Sequence, residues 1–420
     1  MSAGRRAYTT LLWLAAPFIP LRLAWRARRQ PEYLRHMAER LGRYGDAPCR
    51  PVIWIHAVSV GETRAAAPLV ERLLERYPGH QILLTHMTPT GRETGRQLFG
   101  DRVLQAYLPY DYPFAVRRFL AHFRPALGVL IETELWFNLI AGCREARVPL
   151  YLVNARLSER SYRRYARFPD LVGEALGGLT GVLAQTEADA QRLSRLGARR
   201  VEVAGNLKFD LTPPAAQLAR GRALRAMFGP RRPVFLAAST RESEEPRVLD
   251  AVARLTVPEL LTVIVPRHPQ RFDEVAALIA RRGLKFQRRS EARSIAPETQ
   301  IVLGDSMGEL FAYYAACDVA FVGGSLAPLG GQNLIEPCAV GVPVLIGTHT
   351  FNFEEAARQA VEEGAALRVA DEAALAAAVA ALLADAAQRR RMAEAGLAFA
   401  QRHRGAVERV LARITAAGIG

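Results

Sequence analysis

The stretch 323–347, GGSLAPLGGQNLIEPCAVGVPVLIG, restricts the fold more than any other part of the chain. It reads as the end of a strand, a glycine-rich loop, a helix and a short strand. Residues 318–322 before it form a compact apolar run with β-branched residues, the pattern of a buried parallel strand. Gly323-Gly324 and Gly330-Gly331 let the backbone turn and approach a ligand closely. The helix is expected over 332–341, where free N–H groups and the helix dipole favour an anion. Glu336, one turn in, is placed to reach a ribose hydroxyl. The competing reading is an ordinary strand–loop–helix of any α/β protein, whose glycines serve only the turns.

The same alternation recurs along the chain. With 420 residues the chain is too long for one ordinary core, so two domains of roughly 150–200 residues are expected. Half the residues are hydrophobic and 23% are charged, which is a globular composition. Residues 51–59 (PVIWIHAVS) read as a buried strand, 59–63 as a loop, and 64–77 as a helix with apolar positions at Leu69, Leu73 and Leu74. Further strands are read at 81–86, 127–131, 149–154, 183–185 and 201–205. Thr212-Pro213-Pro214 interrupts the pattern and is the candidate linker. Strands then resume at 233–238, 262–265 and 299–303. The region from about 371 onward reads as alanine-rich helices without evident chemistry. The implied domains are an N-terminal segment 1–45, a first Rossmann-like domain 46–211 and a second, 212–420, the two α/β domains facing a cleft.

Charged residues cluster where strands end, the edge at which open α/β sheets hold ligands. Glu62 sits at a strand end and a helix start. It is placed to accept a proton from an attacking hydroxyl, but Ser59-x-x-Glu62 equally fits a capping box. Glu132 and Glu134 follow the strand 127–131, and in extended chain they would point the same way. Lys208, after the strand 201–205, can bind a phosphate or carboxylate or pair with Asp210. Arg267 suits an oxyanion, which a guanidinium grips with two parallel bonds. Arg156, Arg160, Arg163 or Arg164, and Arg167 recur at helical spacing, as a solvated face or as a grip on a phosphorylated acceptor.

The N-terminus brings in charge. Lys and Arg number 56 against 41 acidic residues, a net +15, which implies an anionic partner. Residues 11–25 are apolar but broken by Pro17, Pro20 and Arg22, and flanked by Arg5, Arg6, Arg26, Arg28 and Arg29. The run is too short and too broken for a membrane span. The favoured reading is a segment in or on a membrane, with Trp13 and Trp25 at the interface and arginines on anionic headgroups. A signal peptide, true anchor or plain packed helix are the alternatives. The four cysteines are far apart and have no zinc spacing. The chain lacks the aromatic–basic interleaving of single-strand nucleic-acid binders, so no nucleic-acid partner is expected.

Nine stretches taken together resemble the 3-deoxy-D-manno-octulosonic acid (Kdo) transferases of lipopolysaccharide assembly. They are HAVSVGET (56–63), TPTG (88–91), ETELW (132–136), NARLSERS (154–161), LKFD (207–210), VPRHPQRF (265–272), GDSMGEL (304–310), AFVGGSL (320–326) and HTFNF (349–353). The resemblance implies the GT-B fold, CMP-Kdo as donor and a phosphorylated lipid A precursor (lipid IVA) as acceptor. It also implies a place on the cytoplasmic face of the inner membrane, peripheral or monotopic. Carried over by motif, Glu62 is the catalytic base, and Glu132 and Lys208 support the transition state. Pro266, Arg267, Met307, Gly308, Glu309 and Asn333, Leu334, Ile335 and Glu336 are the CMP-binding positions. No cofactor and no metal at the reacting centre are expected. Two departures stand out: Phe137 replaces the proline usual after ETELW, and Ser243 replaces the glycine usual in the stretch 239–245. Another GT-B enzyme with a UDP-sugar donor, or a basic membrane binder without activity, are the rival readings.

Overall fold

A computed structural model describes residues 2–28 and 30–416; Met1, Arg29 and residues 417–420 lie outside the described residues. The chain divides into two compact units. The first comprises residues up to Asp210 together with the segment from Arg404 on, and the second comprises Leu211–His403.

Among the described residues, the first unit is built on seven parallel strands: β1 (Val52–His56), β2 (Gln81–His86), β3 (Leu104–Tyr107), β4 (Pro125–Ile131), β5 (Leu150–Ala155), β6 (Gly181–Ala184) and β7 (Val201–Val203), in the order β3-β2-β1-β4-β5-β6-β7. The strand order reverses between β1 and β4. Val52 and Trp54 of β1 join one apolar cluster, and Ile53 and Ile55 join another on the opposite face. This period of two explains why a central strand covered on both sides carries no polar alternation.

The second unit repeats the plan with β8 (Val234–Thr240), β9 (Leu261–Pro266), β10 (Phe286–Arg288), β11 (Ile301–Leu303), β12 (Val319–Val322), β13 (Val344–Ile346) and β14 (Ala366–Arg368). Their order is β10-β11-β9-β8-β12-β13-β14, with the reversal between β8 and β12. Val234, Leu236 and Ala238 face one cluster while Phe235 and Ala237 face the other. Strands β3, β10 and β14 have no counterpart in the sequence reading. They are three- or four-residue strands at sheet edges, too short to display a period.

Three expectations need correction. The helix Ala406–Thr415 is part of the first unit, not of the domain 212–420. Val407, Val410, Leu411 and Ile414 are buried in the same cluster as Ile53 and Leu69, and the Asp210 carboxylate accepts from the N–H groups of Gly405 (3.0 Å) and Val407 (2.7 Å) at its start. The segment 1–45 is not set apart either. In the helix Ala3–Ala15 the hydroxyl of Tyr8 donates to Asp111 (3.0 Å) and that of Thr9 to Asn138 (3.2 Å), and Tyr44 packs on Phe119 and Phe123. Finally, the helix expected over 332–341 is Ile335–Val340. Pro337 has no N–H and falls in the first turn of this shorter helix, where no donor is required.

The helices Ala3–Ala15 and Phe18–Ala27 are bent by 58° where Pro17 separates them. No single helix among the described residues is long and apolar enough to cross a membrane. Leu11, Trp13, Leu14, Phe18, Leu21 and Trp25 are all more than half exposed.

Candidate active site

In the first unit the loops that leave β1 and β4 flank the point where the strand order reverses, the place where such sheets bind ligands. Glu62 is on the loop side of β1, in the first turn of the helix Val60–Arg76. One oxygen of its carboxylate accepts from the N–H of Val58 (2.8 Å) and the other from the hydroxyl of Ser59 (2.9 Å). Ser59 caps the helix by accepting from the N–H of Glu62 (3.5 Å). The arrangement resembles a capping box, except that the carboxylate takes the N–H of Val58 rather than that of the cap residue. Burial raises the Glu62 pKa, against the pull of the Val58 and Ser59 bonds.

The loop carrying Glu62 is fastened from β2 and the turn behind it. A ring nitrogen of His86 lies 2.9 Å from the Ala57 carbonyl, and the Thr88 hydroxyl donates to the Val58 carbonyl (3.1 Å). A Cβ on Gly91 would stand 3.0 Å from that carbonyl, so the glycine of TPTG is needed for the close approach.

Glu132 follows β4 with φ +64° and Asn154, next to last in β5, has φ +55°, conformations that cost a side-chain-bearing residue of order 1–3 kcal/mol. The left-handed turn at Glu132, not strand alternation, sets the direction of its side chain. Lys208, in the short turn Leu207–Phe209 after β7, pairs with Glu132 at 3.0 Å. Asp210 is engaged with the C-terminal helix instead. The structure thus brings Glu132 and Lys208 into contact, and both act electrostatically on Glu62. Glu134 joins this group without having been assigned a role by the sequence. Burial, then the charge of Glu62, push its carboxyl up to about 7, while the indole of Trp136 donates to it at 2.6 Å.

In the second unit the remaining candidates lie on loops after β9, β11 and β12. Pro266 ends β9, and the N–H of Arg267 donates to the Thr240 carbonyl (2.9 Å). Met307 is exposed and Gly308 adopts φ +75°. Glu309 is buried and paired with Arg220 (2.8 Å), with Arg289 at 3.6 Å. Leu334 and Ile335 turn their side chains into the interior, leaving only backbone groups to meet a ligand. Asn333 accepts from the N–H of Ile335 (3.1 Å) and donates to Glu336 (3.3 Å). Burial raises the Glu336 carboxyl to about 7, opposed by Asn333 and by the charge of Arg267. The helix Ile335–Val340 has only six residues, so the anion site expected at its N-terminus has less than two turns of helix dipole behind it.

Residues 35–211 match the family described as 3-deoxy-D-manno-octulosonic-acid transferase (kdotransferase), and residues 235–399 match glycosyl transferases group 1. The chain is 48% identical over 423 residues to the 3-deoxy-D-manno-octulosonic acid transferase of Bordetella pertussis, covering 97% of this chain and 98% of that one. The chain belongs to the Kdo transferase family. The Haemophilus influenzae Kdo transferase is 41% identical over 411 residues, 96% of each chain. A solved glycosyltransferase from Rickettsia africae is similar in fold, with a TM-score of 0.56 at 14% identity, covering 88% of this chain and 98% of that chain. The protein is therefore a glycosyltransferase of two α/β units with Kdo transferase activity. Both departures from the family motifs fall at defined backbone positions. Phe137 is the first residue of the helix Phe137–Glu145, the position where proline is favoured, and Ser243 has φ +68°, where glycine is.

Proposed function

We propose that this Kdo transferase takes its sugar from CMP-Kdo and passes it to a hydroxyl of a phosphorylated lipid A precursor, lipid IVA, with inversion and with Glu62 as the general base. The observation that carries the reading is the Glu62 carboxylate, held at the carboxyl edge of β1 beside the Lys208–Glu132 pair. Glu62 takes the proton of the acceptor hydroxyl as that oxygen bonds to the anomeric carbon. The bond from that carbon to the donor phosphate breaks, and CMP leaves with the electron pair. Attack opposite the leaving group inverts the centre. Lys208 offsets negative charge on the donor, and Glu132 fixes its ammonium.

On the second unit, Arg267 is the phosphate ligand, with Pro266, Met307, Gly308 and Glu309 shaping the nucleotide pocket. Asn333, Leu334, Ile335 and Glu336 form the ribose side. The donor carries its own activated leaving group, so the reading requires no cofactor, and it assigns no step to a metal. The exposed apolar residues of the first two helices and the net charge of +15 support a seat on the anionic cytoplasmic face of the inner membrane. The test is nucleotide release with a tetraacyl lipid A precursor, CMP-Kdo being generated in place and UDP-sugars supplied in parallel. CMP release that depends on the acceptor supports the proposal; release of UDP instead would overturn it.

A further inference from the structure

The stretch Ser239-Thr240-Arg241-Glu242-Ser243-Glu244-Glu245 meets the loop after β9, where the Thr240 carbonyl accepts from the N–H of Arg267 (2.9 Å). It connects β8 to the helix Glu244–Val252. Both glutamates are fully buried, a costly place for carboxylates unless each is bonded. Glu244 is bonded across the switch point of the second sheet. It accepts from three consecutive backbone N–H groups, those of Gly324, Ser325 (2.9 Å) and Leu326 (2.9 Å), and from the N–H of Arg241 (3.1 Å). Three successive N–H groups converging on one point form an anion-binding nest. Here a side chain of the same protein fills it.

The rest of the turn is built on that contact. Gly324 has φ +73°, and its carbonyl accepts from the N–H of Gly331 (2.7 Å), while the Gly323 carbonyl accepts from Gln332 (3.0 Å). A Cβ on Gly323 would come within 2.6 Å of the Ser239 carbonyl, so the two loops touch backbone to backbone. The Ser325 hydroxyl donates to the Val322 carbonyl (2.5 Å) and accepts from the N–H of Gly347 (2.8 Å). Glu245, next in sequence, grips the other loop of the same edge. Arg271 donates to it at 2.9 Å, and so does the hydroxyl of Thr240 at 3.1 Å.

We propose that Glu244 is a positioning residue for the donor site: its carboxylate occupies the anion nest of the 323–326 turn, fixes the glycine-rich loop, and leaves the donor's anions to be met by other groups. The inference rests on the reading that the donor binds at the carboxyl edge of the second unit. Glu244 touches no reacting atom. A carboxylate offers acceptors to all four N–H groups, whereas an amide of the same shape has one oxygen and turns an NH2 toward donors.

The experiment compares full-length wild type with Glu244→Gln, by CMP titration calorimetry, by donor and acceptor KM in the transfer assay, and by amide exchange over 323–332. The expected result is a folded variant whose CMP Kd and donor KM rise at least ten-fold. Its acceptor KM should stay within two-fold, and its loop should exchange faster. A general loss of structure would instead lower the active fraction and leave both KM values alone. A variant with wild-type CMP affinity and unchanged exchange would overturn the proposal. Should Glu244→Gln fail to fold, wild-type exchange decides. Protection of the 324–326 amides with and without CMP supports the filled nest, and exchange at solvent rates overturns it. A wild type that does not bind CMP contradicts the donor assignment, and the exchange measurement then judges Glu244 on its own.

Discussion

Glu62 is held by the N–H of Val58 and the hydroxyl of Ser59, and burial outweighs those two bonds in setting its proton affinity. A base must be deprotonated to act, so activity is lost as pH falls through its folded pKa. Because that pKa is raised, the acid limb of the kcat/KM profile should lie above the ordinary glutamate range near 4.3. A limb at or below that range, measured with buffer-controlled Kdo transfer, would contradict the assignment. Ser243 offers a test of stability rather than activity. Its left-handed backbone disfavours a Cβ, so Ser243→Gly should stabilise the fold by roughly 0.5–1 kcal/mol, read as a rise in the urea midpoint. An unchanged or lowered midpoint would contradict it. At this scale the sequence exposed Glu62, Glu132 and Lys208 because each follows a strand. The choice between base and cap at Glu62 was not legible, since the carboxylate bonds Val58 instead of the cap N–H, a detail of loop geometry. Glu134 was visible as a second carboxylate after the same strand, but its raised proton affinity comes from burial and then from the charge of Glu62, which no local pattern displays; Glu244 stayed hidden because its partners lie on a loop 80 positions away.

The secondary-structure elements were legible where burial on both faces makes long apolar runs, as in β1, β4 and β8. They were not where tertiary contact decides. The helix Ala406–Thr415 has a clear apolar face, but nothing local states which sheet it covers. The structure gives it to the first unit, with Leu411 buried beside Leu69 and Leu73. Leu411→Ala should cost about 2–4 kcal/mol, as large-to-small changes in cores do. Because the helix serves the first unit, a two-domain denaturation profile should show the loss in that unit's transition and not in the other; the reverse would contradict the assignment. Asp111 illustrates the same point for the N-terminal helix. Its carboxylate accepts from the N–H groups of Asn138 (2.9 Å) and Leu139 (2.8 Å) at the start of Phe137–Glu145, and from Tyr8. No spacing in the sequence connects residues 8, 111 and 138.

For the whole molecule, the two sheets repeat one arrangement, each with its functional candidates at the carboxyl edge near a reversal of strand order. The first two helices add an exposed apolar surface with arginines along it. If that surface seats the enzyme on anionic lipid, the protein should float with vesicles containing phosphatidylglycerol. Raising salt should weaken the binding, and Leu14→Ser with Phe18→Ser and Leu21→Ser should reduce it at least ten-fold. Equal flotation with neutral vesicles, or no effect of the triple change, would contradict the seat. The role of Glu62 is tested most directly by transfer of Kdo from CMP-Kdo to a tetraacyl lipid A precursor, wild type against Glu62→Gln. General acid–base help is worth about 10²- to 10⁴-fold. With Glu62 as the base, wild type transfers Kdo and the variant loses activity by that order while it keeps its fold and its CMP affinity. Transfer by Glu62→Gln at the wild-type rate would return Glu62 to a capping role and contradict the mechanism.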